Sequence, residues 1–182
     1  MDRKGFTLIE MMIVVAIIAV IAAIAIPNLL AARRNSNQSN AVAACKEVGS
    51  AQNMYHRSDW DNDAVLEYSL AFPILYTQTD AAGNLIKLIS EALALAVAPA
   101  TALHGYWFND ITADATSGPY VVGGNQPDEY GISANAARYP RSGRETYIMD
   151  TTGTVYARDQ GASAPVLTFP ASPRAAGWTV AE

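Results

Sequence analysis

The sequence predicts an α+β fold in which one long N-terminal helix packs on a small antiparallel sheet. Three observations carry that prediction. An uncharged apolar run fills Met11 to Ala32, apolar positions then recur at helical spacing as far as Tyr55, and beyond Leu103 the pattern changes to short aromatic and β-branched runs separated by turns. Of the 182 residues 51% are apolar and only 16% charged, which excludes intrinsic disorder and leaves an apolar excess to be buried somewhere. The net charge of −5 argues against a nucleic-acid partner held by a general basic surface. The single cysteine excludes an intrachain disulfide and a cysteine-based zinc site, and two histidines leave little for metal or acid–base chemistry. There is no G-x-S-x-G, H-E-x-x-H or phosphate-binding loop. No cofactor, metal or enzymatic activity is therefore expected.

The first element is the apolar run. Its 22 or so residues make ~33 Å of helix, enough to cross a hydrocarbon core of ~30 Å. Arg3 and Lys4 precede it and Arg33 and Arg34 follow it, so flanking charge alone leaves the orientation open. The very short leading tail places Arg3 and Lys4 on the cytoplasmic side. A cleaved signal peptide with Ala23-Ile24-Ala25 as its cleavage site fits the pattern, and so does a plain membrane anchor. Neither gives a purpose to Glu10, a carboxylate at the leading edge of an apolar helix, where ionisable groups are costly and by default functional.

The stretch Lys4-Gly5-Phe6-Thr7-Leu8-Ile9-Glu10, with the apolar run directly behind it, resembles the processing site of type IV pilin and type II secretion pseudopilin precursors. Pro27, about two-thirds along the helix, adds to the resemblance. The likeness covers roughly the first 35 residues. It implies that a prepilin peptidase cuts between Gly5 and Phe6 and that the new Phe6 amine is N-methylated. It also implies that Glu10 pairs with the Phe6 amine of a neighbouring subunit, setting its register, because a buried charge needs a partner. Pro27 removes a helical hydrogen bond and kinks the helix, and the resemblance implies that the helix there loosens on assembly.

Beyond the polar run Asn35 to Asn40, Ala41, Cys45, Val48, Gln52 and Tyr55 form one helical stripe, so the helix continues to about residue 57 or 58 with its second half on a globular domain. Gly49 within it signals close packing, and Cys45 on the stripe is read as a core residue rather than a reactive thiol. Charge divides in the same place: +3 up to Arg57 and −8 beyond it, which sum to −5. The organisation expected is a leader over residues 1–5, a helix over 6–58 that spans the membrane at about 11–32, and a globular α+β domain over 59–182.

Asp59-Trp60-Asp61-Asn62-Asp63 has the look of a calcium loop but lacks the glycine and glutamate that such a loop needs at positions 64 and 70. A solvated turn with Asp63 capping a following helix is the simpler reading. A second helix is expected from Asn84 to Val97, stopped by Pro99. Strands are expected at Gly105 to Asn109, Tyr130 to Ala137, Glu145 to Met149 and Thr154 to Ala157, the last two joined as a hairpin by Asp150-Thr151-Thr152-Gly153. Pro119 and Gly123-Gly124 fall in a loop, and the tail from Gly161 is expected to be loosely ordered apart from a docking Trp178. His104 has no nucleophile near it in sequence. Arg138, Arg141 and Arg144 are expected to form salt bridges, with an intersubunit or DNA contact as the alternative.

LHGYWF followed by GRETYIMDTTGTVYARD resembles the C-terminal sheet of some pilins, although the cysteine pair that closes the C-terminal loop of many of them is missing. The resemblance implies a structural subunit of a pilus or pseudopilus. Its implied partners are identical or homologous subunits, the prepilin peptidase, an inner-membrane assembly platform, and membrane lipid before assembly. It places the precursor in the bacterial inner membrane and the mature chain in a periplasmic or surface filament. The competing reading is an exported or membrane-anchored periplasmic binding domain or small enzyme that uses the segment only for export.

Overall fold

Helix α1 runs unbroken over Leu8–His56 in the computed structural model, which describes residues 5–60, 64–80, 82–122, 124, 126 and 128–181. Its two halves live in different surroundings. From Leu8 to Leu30 nearly every side chain is exposed, whereas Ala41, Val42, Ala44, Cys45, Val48, Gly49, Ala51, Gln52 and Tyr55 are buried. All five residues of the expected stripe lie in that buried set. The helix passes through Pro27, whose missing N–H leaves one carbonyl of the preceding turn without its helical donor.

Short elements follow: α2 (Ile74–Thr77), α3 (Glu91–Ala94) and a 3-10 turn at Pro99–Thr101. The expected helix from Asn84 to Val97 is reduced to α3. Leu85 instead forms a bridge with Thr79, and Lys87 has a positive φ of 46°, so the chain reaches a helical path only at Ser90, whose hydroxyl accepts from the Leu93 N–H. The helix expected after Asp63 is also absent. Ala64 has φ 67°, and Ser69 is held flat against α1 by the Gln52 amide, which accepts from the Ser69 N–H at 2.9 Å and donates to its carbonyl at 3.2 Å. Asp61 to Asp63 lie outside the described residues.

Strands β1 (Tyr106–Ile111), β2 (Ala113–Asp114), β3 (Gly118–Pro119), β4 (Gly131–Ala136), β5 (Glu145–Asp150), β6 (Val155–Asp159), β7 (Thr168–Phe169) and β8 (Thr179–Val180) complete the chain. The main sheet has the order β1-β4-β5-β6-β8 and is antiparallel throughout; β3-β2-β7 make a small second sheet. The four long strands match the expected ones, and the hairpin turn closes at Gly153 with φ 73°.

Alternation sorts the main sheet into two faces. Tyr106, Phe108, Ile132, Ala134, Ala136, Tyr147, Met149, Val155 and Ala157 meet the buried face of α1. Gly49 marks a close approach: a Cβ there would lie 2.6 Å from Met149 Cε. The opposite face carries Ile111, Tyr120, Ile148, Phe169 and Trp178. It also carries a polar network in which Asn109 Oδ1 accepts from Ser133 Oγ and Asn135 Nδ2, both at 2.7 Å. Asn109 Nδ2 donates to the Val166 carbonyl at 3.1 Å, tying the tail across this face. The tail is thus not loose. It supplies β7 and β8, buries Trp178 to 5% exposure and gives the covered Asn109 amide of β1 an acceptor at the Val166 carbonyl.

Candidate assembly and processing site

At the start of α1, Gly5 and Phe6 precede the first turn and are exposed, Phe6 to 78%. Lys4 and Arg3 lie outside the described residues. Thr7 caps the helix. Its Oγ1 accepts from the Glu10 N–H at 3.3 Å, while Glu10 Oε2 accepts from the Thr7 N–H at 2.8 Å and from Thr7 Oγ1 at 2.6 Å. This is a capping box: each residue satisfies an N–H that the helix start leaves without a partner. Glu10 therefore has a purpose within its own chain, which charge cost alone does not reveal. The Thr-x-x-Glu spacing was the available signal. The box occupies Oε2 and leaves Oε1 accepting no hydrogen bond among the described residues.

Behind this cap the helix offers a bare apolar cylinder. It is long and apolar enough to cross a membrane, and none of its most apolar window is buried within the chain. Pro27 lies toward the far end of that cylinder, where it lines a cleft of about 610 Å³ with Leu30, Arg34, Pro140 and Arg141. Gly5 and Phe6 thus lie just before α1, with Glu10 in its first turn and Pro27 spaced well along it.

The remaining candidates separate from this site. His104 is exposed with φ 47° on a turn. Asp59 Oδ2 accepts from the Ala64 N–H at 3.0 Å, and no group of three or more metal-ligating side chains occurs among the described residues. Cys45 is fully buried, and burial pushes its thiol up to about 12. Asp110, on the α1-facing side of β1, is raised to about 6 by burial, although the Phe72 N–H it accepts at 2.8 Å works the other way. Arg138, Arg141 and Arg144 are exposed and form no ion pair among the described residues, contrary to the expected salt bridges.

Comparison with known proteins divides the chain near the end of the apolar run. Residues 1–26 match the model for the prokaryotic N-terminal methylation motif, and residues 25–168 match the model described as Protein of unknown function (DUF2950). The chain belongs to the DUF2950 family. This DUF2950 chain is 54% identical over 54 residues to the type IV wide pilus major component PilA4 of Thermus thermophilus, covering 30% of the chain and 41% of that relative. It is 52% identical over 53 residues to the type IV major pilin protein PilA of Myxococcus xanthus, covering 29% and 24%. It is 36% identical over 53 residues to the type II secretion system core protein G of Escherichia coli, covering 29% and 37%. The matches thus span well under half the length of these relatives. No solved structure matches the chain. The α+β organisation expected from the sequence, a long apolar helix on an antiparallel sheet, is the one observed.

Proposed function

We propose that this DUF2950 chain is a structural subunit of a type IV pilus or pseudopilus filament, polymerised through the apolar half of α1. The observation that carries the reading is the N-terminal methylation motif leading directly into an exposed apolar helix whose acid is Glu10. The relatives named as pilus components and as a secretion core protein support it. Prepilin peptidase cuts between Gly5 and Phe6, and the Phe6 amine is methylated. The precursor sits in the bacterial inner membrane, spanning it at about residues 11–32, with residues 59–182 as the globular body. An assembly platform then moves subunits from lipid into the filament. There the apolar helices cover one another, since their exposed surface has no partner within the chain.

Capping and register share one carboxylate in this scheme. Oε2 stays with Thr7 while Oε1 meets the Phe6 ammonium of the next subunit, a charge that also sits unfavourably at its own helix start and gains from a nearby anion. Pro27 supplies the point at which the helix loosens.

The test separates the two roles of Glu10. Glutamine still completes a capping box, so Glu10→Gln keeps the cap and removes only the charge. Sheared filament yield is expected to fall more than about a hundredfold for Glu10→Gln. Thr7→Val, which loses the cap and keeps the charge, is expected to lower it no more than about fivefold. Mass spectrometry of the wild-type protein is expected to find methylated Phe6 at the N-terminus. A start near Ile26, or retention of Met1, would return the segment to an export signal or plain anchor.

A further inference from the structure

We infer that the arginine-rich loop between β4 and β5, together with Arg34, is a binding site for the headgroups of anionic phospholipids in the outer leaflet of the inner membrane. The inference rests on the membrane-anchored precursor proposed above. Of the six basic residues beyond Arg57, three (Arg138, Arg141 and Arg144) fall within seven positions of this loop, in a body whose net charge is −8. Their guanidinium groups face no ion-pair partner among the described residues. The nearby carboxylates are engaged elsewhere: Glu145 accepts from Tyr147 Oη at 2.8 Å, and Asp159 accepts from the Gly161 N–H at 2.8 Å and from Tyr139 Oη at 3.4 Å.

The loop is held at the helix where the apolar run ends. Asn37 Nδ2 donates to the Ser142 carbonyl at 2.8 Å, and Ser142 Oγ accepts from the Arg138 N–H at 2.9 Å. Two clefts meet at Arg34. One, of about 610 Å³, runs between Pro27, Leu30, Arg34, Pro140 and Arg141; the other, of about 210 Å³, lies between Arg34, Asn35, Gln38 and Arg144. A helix entering a ~30 Å hydrocarbon core at about residue 11 leaves it about 20 residues later, at about residues 31 to 32. The larger cleft therefore straddles the boundary, with Leu30 at the level of acyl chains and Arg34 and Arg141 at the level of phosphates. Guanidinium forks pair with phosphate oxygens in two-point contacts, and basic clusters beside a membrane-spanning helix favour anionic lipid. Arg33 is exposed, stands about 100° from Arg34 around the helix and lines neither cleft.

The test uses the full chain in vesicles of phosphatidylcholine with spin-labelled phosphatidylglycerol or spin-labelled phosphatidylcholine at physiological salt. The expected result is a protein-associated phosphatidylglycerol signal at least about threefold above that of phosphatidylcholine. Arg141→Gln should lower the ratio, and the Arg34→Gln, Arg141→Gln, Arg144→Gln triple variant should bring it close to one. Arg33→Gln, with the same charge loss as Arg141→Gln, should leave most of it. Equal ratios for the wild type, or equal loss in Arg33→Gln and Arg141→Gln, would overturn the site. A wild-type ratio of one with filament yield lost in the triple variant would assign the cluster to an acidic surface of a neighbouring subunit instead. Release of the wild type from vesicles by alkaline carbonate would overturn the anchored precursor and this site with it.

Discussion

Gly143→Ala is expected to be one of the most damaging single-methyl additions to the globular body. A Cβ at position 143 would fall 2.0 Å from Tyr106 Oη, 2.5 Å from Cζ and 2.7 Å from Cε2. Tyr106 has nowhere to retreat. It is fully buried, its ring packs on Tyr147 with centroids 5.8 Å apart, and its hydroxyl donates to the Glu145 carbonyl at 2.9 Å. Overpacking a filled core costs about 1–3 kcal/mol. Displacing the hydroxyl leaves a buried donor and acceptor unpaired, for about another 1–2 kcal/mol, so the total is about 2–5 kcal/mol. Tyr106→Phe alone should cost ~1 kcal/mol through the lost hydrogen bond. The double variant should cost less than the sum by about 1 kcal/mol, because deleting Oη removes the tightest contact. Urea denaturation of the full chain in detergent, followed by tryptophan fluorescence, measures all three. A Gly143→Ala protein within about 0.5 kcal/mol of wild type, or strict additivity in the double variant, would refute the packing argument.

Two further outcomes follow from the buried groups. The Asp110 carboxyl holds its proton to about pH 6 when folded but to an ordinary 3.8 when unfolded, so the folded state binds more protons between those values and stability falls as pH rises through them. Asp110→Asn keeps an acceptor for the Phe72 N–H and removes that slope, so its stability relative to wild type should rise on the order of 2 kcal/mol from pH 4 to 6.5; parallel pH profiles would refute this. Cys45, buried with its thiol raised to about 12, should be alkylated by iodoacetamide only when the domain unfolds, at a rate that climbs with urea. Fast labelling in the folded state would refute its place in the core.

What could be read from sequence follows the length scale of each signal. The stripe from Ala41 to Tyr55 repeats over four turns, and β1, β4, β5 and β6 each carry five or six residues of consistent pattern, so both were legible. Two-residue strands such as β7 and β8 exist only because a distant partner accepts them, and no local pattern encodes that. The run from Asn84 to Val97 is apolar at helical spacing, yet Leu85 and Ile86 are recruited by Thr79 and Gln78 across a tight turn at Asp80, and tertiary pairing overrides propensity there. At the candidate site Gly5, Phe6, Glu10 and Pro27 were legible as a motif. The capping box was written in the Thr7–Glu10 spacing but was obscured by the question of charge. The clefts at Arg34 depend on a contact between residues 105 positions apart, Asn37 and Ser142, and lay beyond any local reading.

Because α1 is continuous from Leu8 to His56, the stretch Asn35 to Asn40 works as a shaft rather than a joint. It transmits angle. Inserting one residue between Asn35 and Asn37 would turn the whole sheet by roughly 100° about the axis and lift it by ~1.5 Å, keeping the Asn37–Ser142 tie and taking Arg34 out of its two clefts. The compass bearing of the body relative to the face that Glu10 presents is therefore stored as a count of residues. In an ordered stack of such chains, that count would decide which surfaces of successive bodies meet.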